Sequence, residues 1–295
     1  MHMDIRRWTV ALLAFAVLGI GTAPVLAQSS AQGSIDTKQQ KIEQLKKEYT
    51  AFQKAGKAEE YEAAYSSLSE AVRLAEATDQ SNALTKLQNF QQKLPTKWGN
   101  KALKAEKYDR ALTHFERGTE WSPDDAYVYY GKGLALVNMD STTAAMEALT
   151  QAIEVGNNNS DMRTATLATE RIRQEFIAKA SKALSAQNPT AAKVNEALAH
   201  LDEMRQYVDP SAKSLFYRAT ALYEQGQHEQ AITTAEQGLK RLQQGSRTDR
   251  AKYHFIVAES QMKLGNKQAA CQTFEQAAFG DYKARSDHYL KNECE

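Results

Sequence analysis

The amino-acid sequence predicts an all-α chain, built as a stack of antiparallel helix hairpins. Two observations carry that prediction. Alanines recur 34 residues apart, from Ala111 to Ala145 and again from Ala197 to Ala231. Each is followed four positions on by a second residue and seven on, in most cases, by a small one: Phe115 and Gly118, Leu149 and Ala152, Leu201 and Met204, Ala235 and Gly238. Ala270, Phe274 and Ala277 make a fifth set. The second observation is another small residue twelve positions upstream of each alanine, at Gly99, Gly133, Ser185, Ala219 and Ala258. Small residues at facing positions let two antiparallel helices approach closely, and their fixed recurrence marks a solenoid.

The elements follow in order. Arg6 and Arg7 precede an apolar run from Trp8 to Ile20, and Val25-Leu26-Ala27 supplies small or modest residues at the −3 and −1 positions. Residues 1–27 therefore read as a signal peptide cut after Ala27. The run falls short of the roughly 20 residues a membrane span needs, so no stable span is expected once it is removed. No cysteine follows the cut, which argues against a lipid anchor, and Ile5, Thr9 and Val10 make Arg6-Arg7 a poor twin-arginine match. Residues 28–34 are small and polar and read as a flexible leader.

From residue 35 nearly everything reads as helix. Over 35–91, Ile42, Leu45, Tyr49 and Phe52 form one apolar stripe; Tyr61, Ala64, Leu68, Ala71 and Val72 form the next. Ala64, Leu68 and Ala71 repeat the alanine signature while Phe52 stands where a small residue belongs, so this hairpin is divergent. Its first stripe spans under two heptads, too little for a coiled coil. Residues 92–159 make two units, with Pro95 predicting that the first helix is kinked or restarts there. The 52 residues from Ala145 to Ala197 exceed the repeat. The surplus is expected in a loop from Gly156 to Asp161 and a lengthened helix from Met162 to Ser185, striped by Ala168, Ile172, Phe176, Ala180 and Leu184. Residues 160–211 are thus a lengthened unit, 212–281 two more, and 282–295 a capping helix. Pro123, Pro189 and Pro210 fall between helices.

Charge and motifs narrow the function. Lys and Arg total 37 against 36 Asp and Glu, and loss of Arg6, Arg7 and Asp4 with the signal leaves no net charge. A nucleic-acid binder displays a basic stripe; Lys101, Lys104, Lys107 and Arg110 read instead as a solvated face. His228-Glu229 begins like a zinc-protease motif, but Ile232 stands where the second histidine is required. Gly131-Lys132-Gly133 resembles a phosphate-loop fragment, yet it lies within a helical repeat with no preceding strand and no Ser or Thr after the lysine. No nucleophile elbow or calcium loop occurs. The chain is read as non-enzymatic, with no catalytic residues, metal or cofactor. Its two cysteines, Cys271 and Cys294, flank the turn Gly280-Asp281-Tyr282 on opposite arms of a helical pair. In an oxidising compartment they either form a disulfide, worth about 3 kcal/mol, or stay two thiols; no further ligand has zinc spacing.

These residues resemble the tetratricopeptide repeat family, most clearly from Gln92 to Asp125, Ala126 to Asn159, Ala212 to Gly245 and Ala251 to Tyr282. The resemblance implies a right-handed solenoid of antiparallel helix hairpins with a C-terminal capping helix, in which the first helix of each pair lines a concave groove. Such proteins are usually adaptors for peptides or other proteins. This chain departs from the pattern in mostly lacking the early tryptophan and in carrying Met204 where a small residue belongs, which implies altered curvature in the third unit. Carried over position by position, the groove candidates are Tyr127, Tyr130, Leu134 and Asn138, then Lys213, Phe216, Thr220 and Tyr223, then Lys252, Phe255, Glu259 and Met262. Exposed tyrosines make good binding hot spots, while tyrosines in a packed stack are commonly core. Members that clamp a terminal carboxylate use basic and Asn residues where Tyr130 and Leu134 stand, so that subclass is not expected. The Cys271 and Cys294 ending is similar to exported bacterial repeat proteins in which a cysteine on the second helix faces one on the cap. The resulting expectation is a periplasmic or secreted adaptor for an unidentified protein or peptide of the cell envelope. The alternatives are a structural spacer or scaffold and, third, a cell-wall glycan binder.

Overall fold

The computed structural model describes residues 25–242 and 244–294. The expected signal segment lies outside the described residues up to position 24. The described chain is helical without a strand, and no described helix is long and apolar enough to cross a membrane. It divides into two units, Met1–Phe90 and Gln91–Glu295.

The first unit is a hairpin of α1 (Val25–Ala58) and α2 (Tyr61–Ala77), followed by the beginning of α3 (Ser81–Lys104). Leu45, Phe52 and Ala55 of α1 are buried, as are Ala64, Tyr65, Leu68, Ala71 and Ala75 of α2. Phe52 also meets Phe90, ring centroids 5.5 Å apart. The backbone of residues 28–34 belongs to α1, where the composition predicts a flexible leader. Ala and Gln are good helix formers and a single Gly costs only about 1 kcal/mol, so a helix anchored downstream extends back through this stretch.

The second unit pairs the end of α3 with α4 (Tyr108–Trp121), α5 (Ala126–Asn138) with α6 (Thr142–Asn158), and α7 (Met162–Ala183) with α8 (Ala191–Met204). It continues with α9 (Ala212–Glu224) and α10 (His228–Arg241), then α11 (Arg247–Lys263) and α12 (Lys267–Ala277). A 3-10 turn, Gly280–Tyr282, leads to the cap α13 (Lys283–Glu293). The signature alanines Ala111, Ala145, Ala197, Ala231 and Ala270 are all 0% exposed. A Cβ on Gly131 would lie 2.2 Å from the Phe115 ring, and one on Gly133 2.6 Å from Leu149 Cγ. Both glycines flanking Lys132 therefore serve helix approach rather than phosphate binding.

One local reading is narrowed and another corrected. Pro95 lies inside one continuous helix and its ring packs towards Gly118, so α3 does not restart there. The segment from Gly156 to Asn158 continues α6 instead of opening a loop. Gly156 is needed in the helix, because a Cβ there would lie 2.9 Å from the Asp161 carbonyl oxygen and 3.1 Å from Ala165 Cβ. The surplus residues go largely into α7, 22 residues long against 13 in α5. The first half of α7 packs beside α5 and α6, with Ala168 and Ile172 in their core cluster. Its second half meets α8, α9 and the connection between them: Ala180 and Ala183 join the α8 core cluster, Arg173 Nε donates to the Asp209 carbonyl of the connection at 2.9 Å, and the Ser181 and Tyr217 hydroxyls pair at 3.1 Å.

Candidate functional site

The first helices of successive pairs, α5, α7, α9 and α11, are neighbours, so side chains aimed away from their second helices share one face. On α5, Tyr127 and Tyr130 are half-buried, with ring centroids 5.7 Å apart. The Tyr127 hydroxyl is 3.5 Å from Asn100 Oδ1. Burial raises the Tyr130 phenol, with Tyr127 adding to the rise and Arg171 of α7 opposing it. Arg171 is tied to Glu175 at 2.7 Å, and its Nε is buried without an acceptor. Leu134 is half-buried, and exposed Asn138 donates to the Leu134 carbonyl at 2.7 Å. Asn138 thus spends its amide donor on its own helix.

A second group joins α9 to α11. Phe216 packs edge-on against Tyr217 and Tyr253, at 5.3 and 5.7 Å. The Lys252 ammonium sits 4.9 Å from the Phe216 ring centroid. Burial lowers the Lys252 pKa and exposed Lys213 lowers it further, through like-charge repulsion. The Thr220 hydroxyl is bonded back to the Phe216 carbonyl at 3.0 Å. Tyr223 is half-buried and pushed upward by burial, then by Glu259 and Tyr289.

The last unit differs from the expectation. Phe255 is 1% exposed and cannot line an open groove. Tyr282 and the cap residue Tyr289 pack on its ring at 5.2 and 6.2 Å, and the Arg285 guanidinium lies over it at 4.1 Å. Glu259 is engaged too: the Arg285 guanidinium and the Tyr289 hydroxyl both donate to its Oε1 at 3.3 Å. Its carboxyl is nonetheless raised, because burial outweighs both donors. Met262 packs at the edge of the Phe255 and Phe274 cluster. The cap α13 covers this stretch of α11. It is fixed by a stack of Tyr289 on Phe274, 4.4 Å apart and 9° from parallel, and by Cys271 and Cys294, whose Cα atoms are 5.7 Å apart in a disulfide.

Arg171 shares the face beside Tyr130, whereas Tyr217 packs on the core cluster of α7 and α8; neither is among the candidates the family spacing supplies. Arg171 lies on the lengthened helix, where the repeat register is lost. Tyr217 adjoins Phe216 and a one-in-four template passes over it. Among the described residues no three His, Cys, Asp or Glu side chains gather to hold a metal.

Residues 96–160 and 218–287 match the family model of the tetratricopeptide repeat. A crystallised tetratricopeptide repeat protein from Parabacteroides merdae is 14% identical, with 86% of this chain and 98% of that one covered and a TM-score of 0.31. No curated protein matches the chain.

Proposed function

We propose that this chain, which carries tetratricopeptide repeats over residues 96–160 and 218–287, is a non-enzymatic adaptor of the protein-interaction kind exported to the bacterial cell envelope. It holds a protein or peptide segment against the first-helix face of α5, α7 and α9. The observation that carries this reading is the row of half-buried aromatics there: Tyr127 and Tyr130, then Phe216 and Tyr223. Such rings offer contact area at low entropic cost. The footprint stops at α11, where the cap covers Phe255. The disulfide suits an oxidising compartment and supports the exported placement.

The test is cross-linking in intact source cells followed by affinity capture, comparing the native protein with a folded Tyr130→Ala, Tyr223→Ala double variant. Loss of a reproducible partner from the variant alone is the expected result. Retention of that partner would move binding off this face and favour the spacer reading.

A further inference from the structure

The second unit carries a charged surface that helix pairing leaves uncovered. The chain as a whole is close to neutral, yet residues 91–110 hold six basic residues against two acidic ones. α3 contains no Asp or Glu anywhere in its 24 residues. The helix itself places its lysines. At about 100° per residue, Lys93, Lys97 and Lys104 fall within about 40° of one another, with Lys101 at the edge of the same stripe. Pro95, Gly99 and Ala102 lie on the opposite side and are buried. The four lysines are exposed, and so is Lys107, just before α4.

The protein does not neutralise this stripe. No carboxylate lies within ion-pair distance of Lys93, Lys97, Lys104 or Lys107 among the described residues, and the later acids of α4 are engaged elsewhere: Glu116 pairs with Lys132 at 3.3 Å and Glu120 with Arg117 at 2.6 Å. Glu106 and Asp109 are exposed at one end of the stripe. Lys101 and Lys104 stand in the last turn of α3, where a cation favours the helix dipole. That reason does not reach Lys93 and Lys97, which lie about two turns or more before the end.

The residue type selects the partner. Gripping nucleic acid draws on the bidentate fork of arginine and on stacking aromatics, whereas this side of α3 offers only the compact ammonium of lysine along a convex rod. Point charges without a pocket suit a flat array of anionic head groups, where each lysine near the surface adds about fivefold in affinity. We propose that this face of α3 docks on an anionic lipid surface. The chain is then held against a bilayer peripherally, without a spanning helix and independently of the aromatic row on α5 and α9.

The experiment sediments the full mature chain with vesicles of phosphatidylcholine alone, and of phosphatidylcholine and phosphatidylglycerol in equal parts. Binding is expected only to the second, and added salt should release it. Lys93→Gln with Lys97→Gln and Lys104→Gln should weaken binding about 100-fold, whereas Lys93→Arg with Lys97→Arg and Lys104→Arg should keep it. All three side chains are exposed, so the variants keep their fold, checked by circular dichroism. Lys240→Gln with Lys263→Gln and Lys291→Gln removes the same charge from exposed positions elsewhere and should leave binding nearly intact. Tyr130→Ala with Tyr223→Ala should bind vesicles as the native chain does, which keeps failure here distinguishable from failure of the adaptor reading. No binding to the anionic vesicles, an equal loss in the two glutamine sets, or tighter binding to a mixed-sequence DNA duplex than to the vesicles would each overturn the proposal.

Discussion

Replacing Gly131 with alanine sets two effects of known sign against each other. Alanine is favoured over glycine inside a helix by about 1 kcal/mol, so on propensity alone the variant gains stability. Packing opposes this. The new Cβ would meet Phe115 ring atoms at 2.2 and 2.3 Å, and the ring has little room to retreat, since it also lies against the Gly99 backbone, where an added Cβ would be only 2.7 Å from it. Phe115 is itself fully buried. Overpacking of this kind costs about 1–3 kcal/mol, and a ring wedged between two helix backbones belongs at the upper end, leaving a net loss of about 2 kcal/mol. Urea unfolding followed by circular dichroism should show the midpoint falling by about 1 M with an unchanged slope. In a Phe115→Leu background the same substitution should cost much less, giving a coupling term in a double-mutant cycle. A midpoint that stays or rises in the single variant would refute the close-approach account of Gly131.

Three further outcomes are expected. The disulfide closes a sequence separation of 23 residues, so Cys271→Ser with Cys294→Ser should cost about 3 kcal/mol; two free thiols in denatured, unreduced protein would contradict the bridge. Phe274→Ala removes a fully buried ring and its stack with Tyr289, at a cost of about 3–5 kcal/mol, and should loosen α13, seen as faster amide exchange over residues 283–293. Burial, with a smaller contribution from Arg110, lowers His114 from 6.5 to about 4. A depressed folded pKa contributes stability that is present above the unfolded value and lost as pH falls through the folded one, so the chain should weaken between about pH 6.5 and pH 4. Stability melts of His114→Leu across that range should be flatter; an identical slope would remove His114 as the cause.

The regular pairs were legible because small residues at helix contacts cannot be exchanged without collision, and they recur in the sequence at the spacing of the contact. Gly133 against Leu149 and Gly238 against Tyr253 are such places. Polar composition was a poorer guide. The run from Gly156 to Asn158 has the residues of a loop, yet it is the last turn of α6, and Gly156 is there because a side chain would collide with Asp161 and Ala165. At the candidate site, periodicity identifies which face of α11 carries Phe255 and Glu259 but not what lies over it. The covering residues, Tyr282, Arg285 and Tyr289, come from a later element, and their stacking and ion pairing leave no mark at Phe255 itself. Arg171 is not marked by the repeat for another reason: the lengthened α7 breaks the 34-residue register.

That lengthened helix has a consequence for how the second unit unfolds. In an array of equal repeats each module answers only to its immediate neighbours, and order can be lost from either end in steps. Here one rod is shared. Its early turns are held by α5 and α6 through Ala168 and Ile172, and its later turns by α8, α9 and the connection between them through Ala180, Ser181 and Arg173. Neither set of partners can melt without leaving half of the rod exposed, so α7 makes the modules on its two sides report on each other in one cooperative transition.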